Sequence, residues 1–173
     1  MPAPATGGPR RASRRSRRLN DDFRDLLEAL QTAGAAFLVV GAHALAVHGA
    51  PRATGDLDVW VRPDPGNAAR VLRALVEFGA PVESLQVSEA DLVTPGTVIQ
   101  IGLPPRRIDI LTEISGIGFD EAWATRATTA VGSLEIPFLG REALVRNKRA
   151  SGRPKDLLDL SLLDAELPPE RED

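Results

Sequence analysis

The stretch at residues 52–61, RATGDLDVWV, decides how the rest of the chain is read. Leu57, Val59 and Val61 alternate as on a half-buried strand, while the opposite face carries Asp56, Asp58 and Trp60. Residues two apart on a strand point the same way, with Cα atoms about 6.5–7 Å apart. Two unpaired carboxylates so placed repel each other. A hard divalent cation such as Mg²⁺, or Mn²⁺, removes that repulsion and prefers oxygen ligands. An Asp-x-Asp pair alone does not select this reading, because both acids would also suit a solvated face beside Arg52 or Arg62.

The neighbourhood narrows the choice. Upstream, FLVV at 37–40 reads as a short buried strand that runs into Gly41 and a brief helix, AHALAVHG. A helix N-terminus offers unpaired N–H groups and the positive end of a dipole, which suit phosphate. Downstream, RRIDILTEI sets Asp109 between Ile108 and Ile110 in the same apolar–acid–apolar alternation, so it can join Asp56 and Asp58 from an adjacent strand. In order, the chain presents a phosphate-cradling turn at Gly41, Ala42 and His43, a connector with Arg52 and Thr54, a carboxylate pair and a third acid. Three carboxylates around Mg²⁺ suit two-metal nucleotidyl transfer. The ions orient a triphosphate, neutralise developing charge and lower the pKa of an attacking hydroxyl.

Around this centre, strands and helices alternate irregularly, which predicts an α/β or α+β domain with a mixed sheet. A first helix is expected in NDDFRDLLEALQTAG, with Asn20 as N-cap, Asp21 and Asp22 at the positive end, and Phe23, Leu26, Leu27 and Leu30 inward. PDPGNAARVLRALVEFG reads as an amphipathic helix burying Val71, Leu72, Leu75 and Phe78, and SEADL as one turn opened by Ser88 with Asp91 three residues on. GTVIQIG and RRIDILTEI read as strands, FDEAWATR as a short helix, and TTAV with SLEIPFL as a hairpin across Gly132 and Ser133. GREALVRNKRAS and RPKDLLDLSLLDAEL are the closing helices.

Composition sets outer limits. The 173 residues are 43% hydrophobic and 26% charged, enough for one domain with a real core. With no cysteine, disulfides, thiolate catalysis and Cys-ligated zinc are excluded, and a cytoplasmic setting is expected. No apolar run approaches the roughly 18 residues of a membrane-spanning helix, and no membrane partner is expected. The net charge of −3 hides an asymmetry: residues 10–18, RRASRRSRR, hold six arginines and no acid. The other 15 basic residues face 24 acidic ones, leaving the body at −9. Residues 1–19 are therefore expected to be a disordered Arg-rich arm, residues 20–163 the folded domain and 164–173 an acidic tail. An electrostatic arm for RNA or DNA is the functional counterpart of that solvated-tail reading.

Several side chains admit two readings. His43 either donates to phosphate or sits in the first helical turn, and His48 suits the helix C-terminus before Gly49. Trp60 shares the carboxylate face and would line a nucleotide pocket, whereas Trp123 suits core packing. Arg107 is a solvated charge or a phosphate contact. Lys148, Arg153 and Lys155 either hold phosphate or pair locally with Asp156 and Asp159.

Taken together, VVGAHALAVHGAPRATGDLDVWV (39–61), RIDIL (107–111) and NKRASGRPKDLLDLSLL (147–163) resemble the DNA polymerase beta-like nucleotidyltransferase superfamily. The nearest likeness is to its small bacterial branch related to abortive-infection toxin nucleotidyltransferases. The resemblance implies a nucleotidyltransferase fold, a twisted mixed sheet flanked by helices. It implies an NTP (ATP, CTP or GTP) with Mg²⁺ or Mn²⁺ as the donor system, and an acceptor hydroxyl on RNA such as a tRNA end, on a protein, or on a small molecule. Asp56, Asp58 and Asp109 fall at the family's metal-binding and catalytic carboxylates, and Gly41 at its glycine turn. Arg52 and Thr54 fall at its Arg-x-Thr lead-in, and Lys148 is taken to reach the nucleotide. A toxin with a cognate antitoxin as partner is the role this branch implies. The sequence departs from the family at Ala42, where a second glycine or a serine is usual, which sets beside the enzyme a catalytically degenerate nucleotide- or partner-binding module of the same fold.

Overall fold

In the computed structural model of the chain, which describes residues 20–165, the strands join into one sheet of six in the order β3-β4-β2-β1-β6-β5. The Arg-rich arm at 1–19 and the tail beyond 165 lie outside the described residues. The strands are β1 (Phe37–Val40), β2 (Asp56–Val61), β3 (Val98–Ile101), β4 (Arg107–Leu111), β5 (Ala127–Val131) and β6 (Leu134–Phe138). The central pairs mix directions: β1 is antiparallel to β2 and parallel to β6, and β2 is parallel to β4. β3 and β5 close the two edges as antiparallel partners of β4 and β6. This is the mixed sheet expected from the sequence.

The helices form where capping and periodicity place them. α1 (Asp21–Thr32) starts at Asn20, whose side-chain oxygen accepts the Phe23 N–H at 3.1 Å, and buries Phe23, Leu26, Leu27 and Leu30. α2 (Gly41–Val47) follows β1 without an intervening residue. α3 (Pro65–Phe78) is capped by Asp64 and ends at Gly79, whose φ of +88° is the left-handed conformation that stops a helix. α4 (Glu89–Val93) carries the capping box between Ser88 and Asp91. α5 (Phe119–Ala124), α6 (Arg141–Ser151) and α7 (Pro154–Ala165) complete the described residues. Among the described residues no helix is long and apolar enough to cross a membrane.

β2 is the central element of this arrangement. Leu57, Val59 and Val61 are fully buried in the core that also holds the α1 and α3 apolar faces. On the other face Trp60 is buried beneath α5, its ring edge-on to Phe119 at 5.0 Å. That leaves Asp56 and Asp58, half-buried, at the uncovered end of the same face.

Asn67 ties β1, β2 and α3 together from a buried position. Its side chain accepts the Ala36 N–H at 2.7 Å and donates to the carbonyls of Ala36 (3.0 Å) and Arg62 (2.9 Å). These residues lie just before β1 and just after β2, so one amide fixes the alignment of the two strands. Asn67→Ala removes three hydrogen bonds and leaves the Ala36 N–H without its partner, while the two carbonyls keep the bonds they accept from the Arg62 and Asp64 N–H groups. A loss of about 3 kcal/mol is expected. In thermal unfolding that is a fall of roughly 6–12 °C for a chain of this size, whereas an unchanged midpoint would show that water replaces the amide.

Candidate active site

The site is set by strand register. β2 and β4 run parallel with Asp56 opposite Arg107 and Asp58 opposite Asp109. Paired residues on neighbouring strands project from the same face, as do residues two apart. Four charged side chains therefore form a two-by-two array, with roughly 4.8 Å between strands. The three acids singled out in the sequence are brought together, and Arg107 is placed among them.

Arg107 binds two of the three. Its Nη2 donates to Asp56 Oδ2 at 2.9 Å and to Asp109 Oδ2 at 3.2 Å. Its Nε lies 3.1 Å from Asp109 Oδ1, close enough for an ion pair but not aligned as a hydrogen bond, so both atoms are buried without a hydrogen-bond partner. Sequence reading offered a solvated charge or a phosphate contact for this arginine, and the structure adds a third role, an ion pair with two carboxylates of the site. The period of two that united Asp56 with Asp58 also unites Arg107 with Asp109, and that signal was in RRIDILTEI all along.

Asp58 is the uncompensated member, in no hydrogen bond or ion pair among the described residues. Burial pushes its carboxyl up to about 6, reinforced by Asp109 and then Asp56, against the smaller pull of Lys155 and Lys148. It lies directly against Gly41. A Cβ at that position would overlap the Asp58 Oδ2 atom, and Gly41 also has φ of +67°, so this residue has to be glycine twice over. α2 begins here with no side-chain cap hydrogen bond to its first-turn amides, which like those of any helix have no intrahelical partner. Ala42 is buried and adds no hydroxyl.

The other expected binding residues make these contacts within the fold, except that His43 Nε2 is buried without a hydrogen-bond partner. His43 sits in the first turn of α2, its ring edge-on to Phe23 at 5.7 Å. Burial lowers its pKa, outweighing contact with the Asp56 backbone, so it is neutral near pH 7. His48 ends α2 and lies 2.8 Å from the Leu139 carbonyl oxygen through Nε2. The Thr54 hydroxyl accepts the Asp56 N–H at 3.2 Å and shapes the entry to β2. Arg52 grips Asp159 with two contacts, at 2.8 and 3.3 Å. Lys148, expected at the nucleotide, is only 4% exposed and pairs with Asp156 at 3.1 Å and Asp159 at 2.9 Å. Trp60, expected to line a pocket, is packed under Phe119, because α5 covers that end of the face. Trp123 stacks on Phe119 at 5.7 Å, with Arg126 4.1 Å above it.

Asp156 and Asp159 are thus the buried hub of the C-terminal motif. Burial alone would raise both carboxyls. Hydrogen bonds from Arg153 and Lys148 to Asp156, and from Arg52 and Lys148 to Asp159, outweigh it and hold both below the usual carboxylate range. The network fastens α6 and α7 to the loop that leads into β2. Lys155, exposed and in no ion pair among the described residues, is the cation with the largest pull on Asp58.

No protein-family model matches the sequence, and no curated protein matches it. Among solved structures, a Thermotoga maritima protein described as a "putative nucleotidyltransferase" aligns with a TM-score of 0.56 at 16% identity, over 84% of this chain and 91% of that one. At that identity the likeness establishes a shared fold, a mixed sheet flanked by helices. Among the described residues no group of three or more His, Cys, Asp or Glu side chains is arranged to hold a metal ion. The donor chemistry of the three carboxylates suits a hard cation, but Arg107 stands between two of them.

Because the pKa of Asp58 is raised, its charge costs stability above pH about 6, and the cost is absent below its ordinary value of 3.8. Asp58→Asn is therefore expected to raise the melting temperature at pH 8, by about 2–4 °C per kcal/mol of relieved repulsion. The gain should fade between pH 6 and 4. A gain that persisted at pH 4 would point to a cause other than charge.

Proposed function

We propose that this chain is a divalent-cation-dependent nucleotidyltransferase, moving a nucleoside monophosphate from an NTP to an acceptor hydroxyl. The observation that carries the reading is Asp58 in register with Asp109 on parallel neighbouring strands, with Asp56 on the same face. The shared fold of the Thermotoga maritima protein supports it at the coarse level.

In this proposal Asp56, Asp58 and Asp109 hold Mg²⁺ or Mn²⁺, which supplies charge neutralisation at the triphosphate and acidifies the acceptor hydroxyl. The first-turn amides of α2, kept open by Gly41, receive phosphate oxygens. The acceptor oxygen bonds to the α-phosphorus, the bond to the β-phosphate oxygen breaks, and pyrophosphate leaves. The hydroxyl proton passes to a carboxylate, for which Asp109 is proposed. Arg52 and Lys148 act through the buried Asp156–Asp159 hub by fixing α7, while Lys155 supplies the exposed charge nearest in effect to Asp58. The acceptor (RNA, protein or small hydroxyl compound), the NTP among ATP, CTP and GTP, and a toxin role with a cognate antitoxin belong to the proposal through the sequence resemblance. One observation favours a second reading, a nucleotide-binding module without catalysis: Arg107 occupies the space between Asp56 and Asp109.

The test uses each α-labelled NTP with Mg²⁺ against total RNA, a lysate protein pool and aminoglycosides. Label is expected in one pool and should fall on the order of 100-fold or more in Asp58→Ala. NTP binding with no transfer to any pool would favour the module instead.

A further inference from the structure

Arg107 is the charged member of the array that neither the carboxylate chemistry nor the phosphate turn requires. Its fork is used on one side: Nε and Nη2 face Asp56 and Asp109, and Nη1 makes no contact among the described residues. The side chain is 29% exposed. A guanidinium and a divalent cation compete for the same carboxylate lone pairs, and their like charge keeps them from sharing the space. The long, flexible stem of an arginine lets the head leave without moving β4.

We propose that Arg107 is a tethered counter-ion of the site, neutralising Asp56 and Asp109 until a divalent cation displaces it. The inference rests on the nucleotidyltransferase reading of the three acids and adds a threshold to it. Cation binding carries the cost of breaking the Arg107 contacts at 2.9, 3.1 and 3.2 Å. The reverse also holds: by linkage, whatever draws the guanidinium outward tightens cation binding by the same factor.

Arg106 provides the charge-matched control. It is the adjacent residue, 65% exposed, and pairs with Asp22 at 3.2 Å rather than with any acid of the array. Substituting either arginine changes the net charge by the same amount, and only Arg107 bridges the site acids.

The experiment titrates Mn²⁺ into the full chain without nucleotide, following free Mn²⁺ by electron paramagnetic resonance, with thermal shift as a second readout. Arg107→Gln is expected to bind Mn²⁺ about tenfold more tightly than wild type, and Arg106→Gln to match wild type. Metal-free Arg107→Gln should melt below wild type and recover more on adding Mn²⁺. Arg107→Lys keeps a charge but cannot span both carboxylates, so it should fall between the two, and it serves if the glutamine variant does not fold. Equal or weaker Mn²⁺ binding in Arg107→Gln would overturn the counter-ion proposal and leave the metal site standing. Absence of Mn²⁺ binding in every protein would overturn both.

Discussion

The register of β2 against β4 is the constraint on which everything at this site depends. A slip of one residue would turn Asp109 to the opposite face and bury a carboxylate where Ile108 or Ile110 now packs. Ile108, Ile110, Leu57 and Val59 forbid that slip, because each is sealed in the core on the other side of the two strands. The apolar half of each strand thus aligns the acidic half. Burial free energy, spread over the whole core, holds two carboxylates side by side against their own repulsion.

Two smaller devices refine this placement. Gly41 lets the chain turn from β1 into α2 directly against Asp58, where any side chain would collide with the carboxylate. At the other end of the site, Lys148, Arg52 and Arg153 converge on Asp156 and Asp159, which are almost wholly buried. Breaking one partner out of such a network leaves an uncompensated buried charge, costing about 3–5 kcal/mol, so the network is a strict geometric lock. It binds the last helix, which carries Lys155, to the loop that delivers Asp56. The two ends differ in kind. The hub is fully paired and tightly held, whereas Asp58 is left unpaired among like charges, a local conflict of the sort that marks functional positions.

Most of the fold was legible because its signals are local. Asn20, Asp64, Ser88 and Gly79 mark helix ends through chemistry that acts within a turn, and the alternation in DLDVWV and RIDIL identifies both strands and faces. The joining of Asp109 to Asp56 and Asp58 was also readable, since shared alternation on neighbouring strands leaves few arrangements. What escaped depends on distant partners. Trp60 shares a face with the aspartates, yet only the docking of Phe119 shows that this end of the face is covered. Lys148 and Lys155 stand seven apart in one motif, and their roles separate only when α6 and α7 fold over Asp156 and Asp159. Arg107 was the avoidable miss, because its spacing from Asp109 is the one that joined Asp56 to Asp58.

The central claim is that Asp56, Asp58 and Asp109 are the ligands of one cation-binding nucleotide site. Diffraction from crystals soaked with Mn²⁺ and a non-hydrolysable NTP analogue, recorded for the manganese anomalous signal, tests it most directly. The predicted result is an anomalous peak within about 2.0–2.6 Å of the Asp58 and Asp109 carboxylate oxygens, with the triphosphate against the first turn of α2. Nucleotide or manganese bound elsewhere, with Arg107 still seated between Asp56 and Asp109, would contradict it.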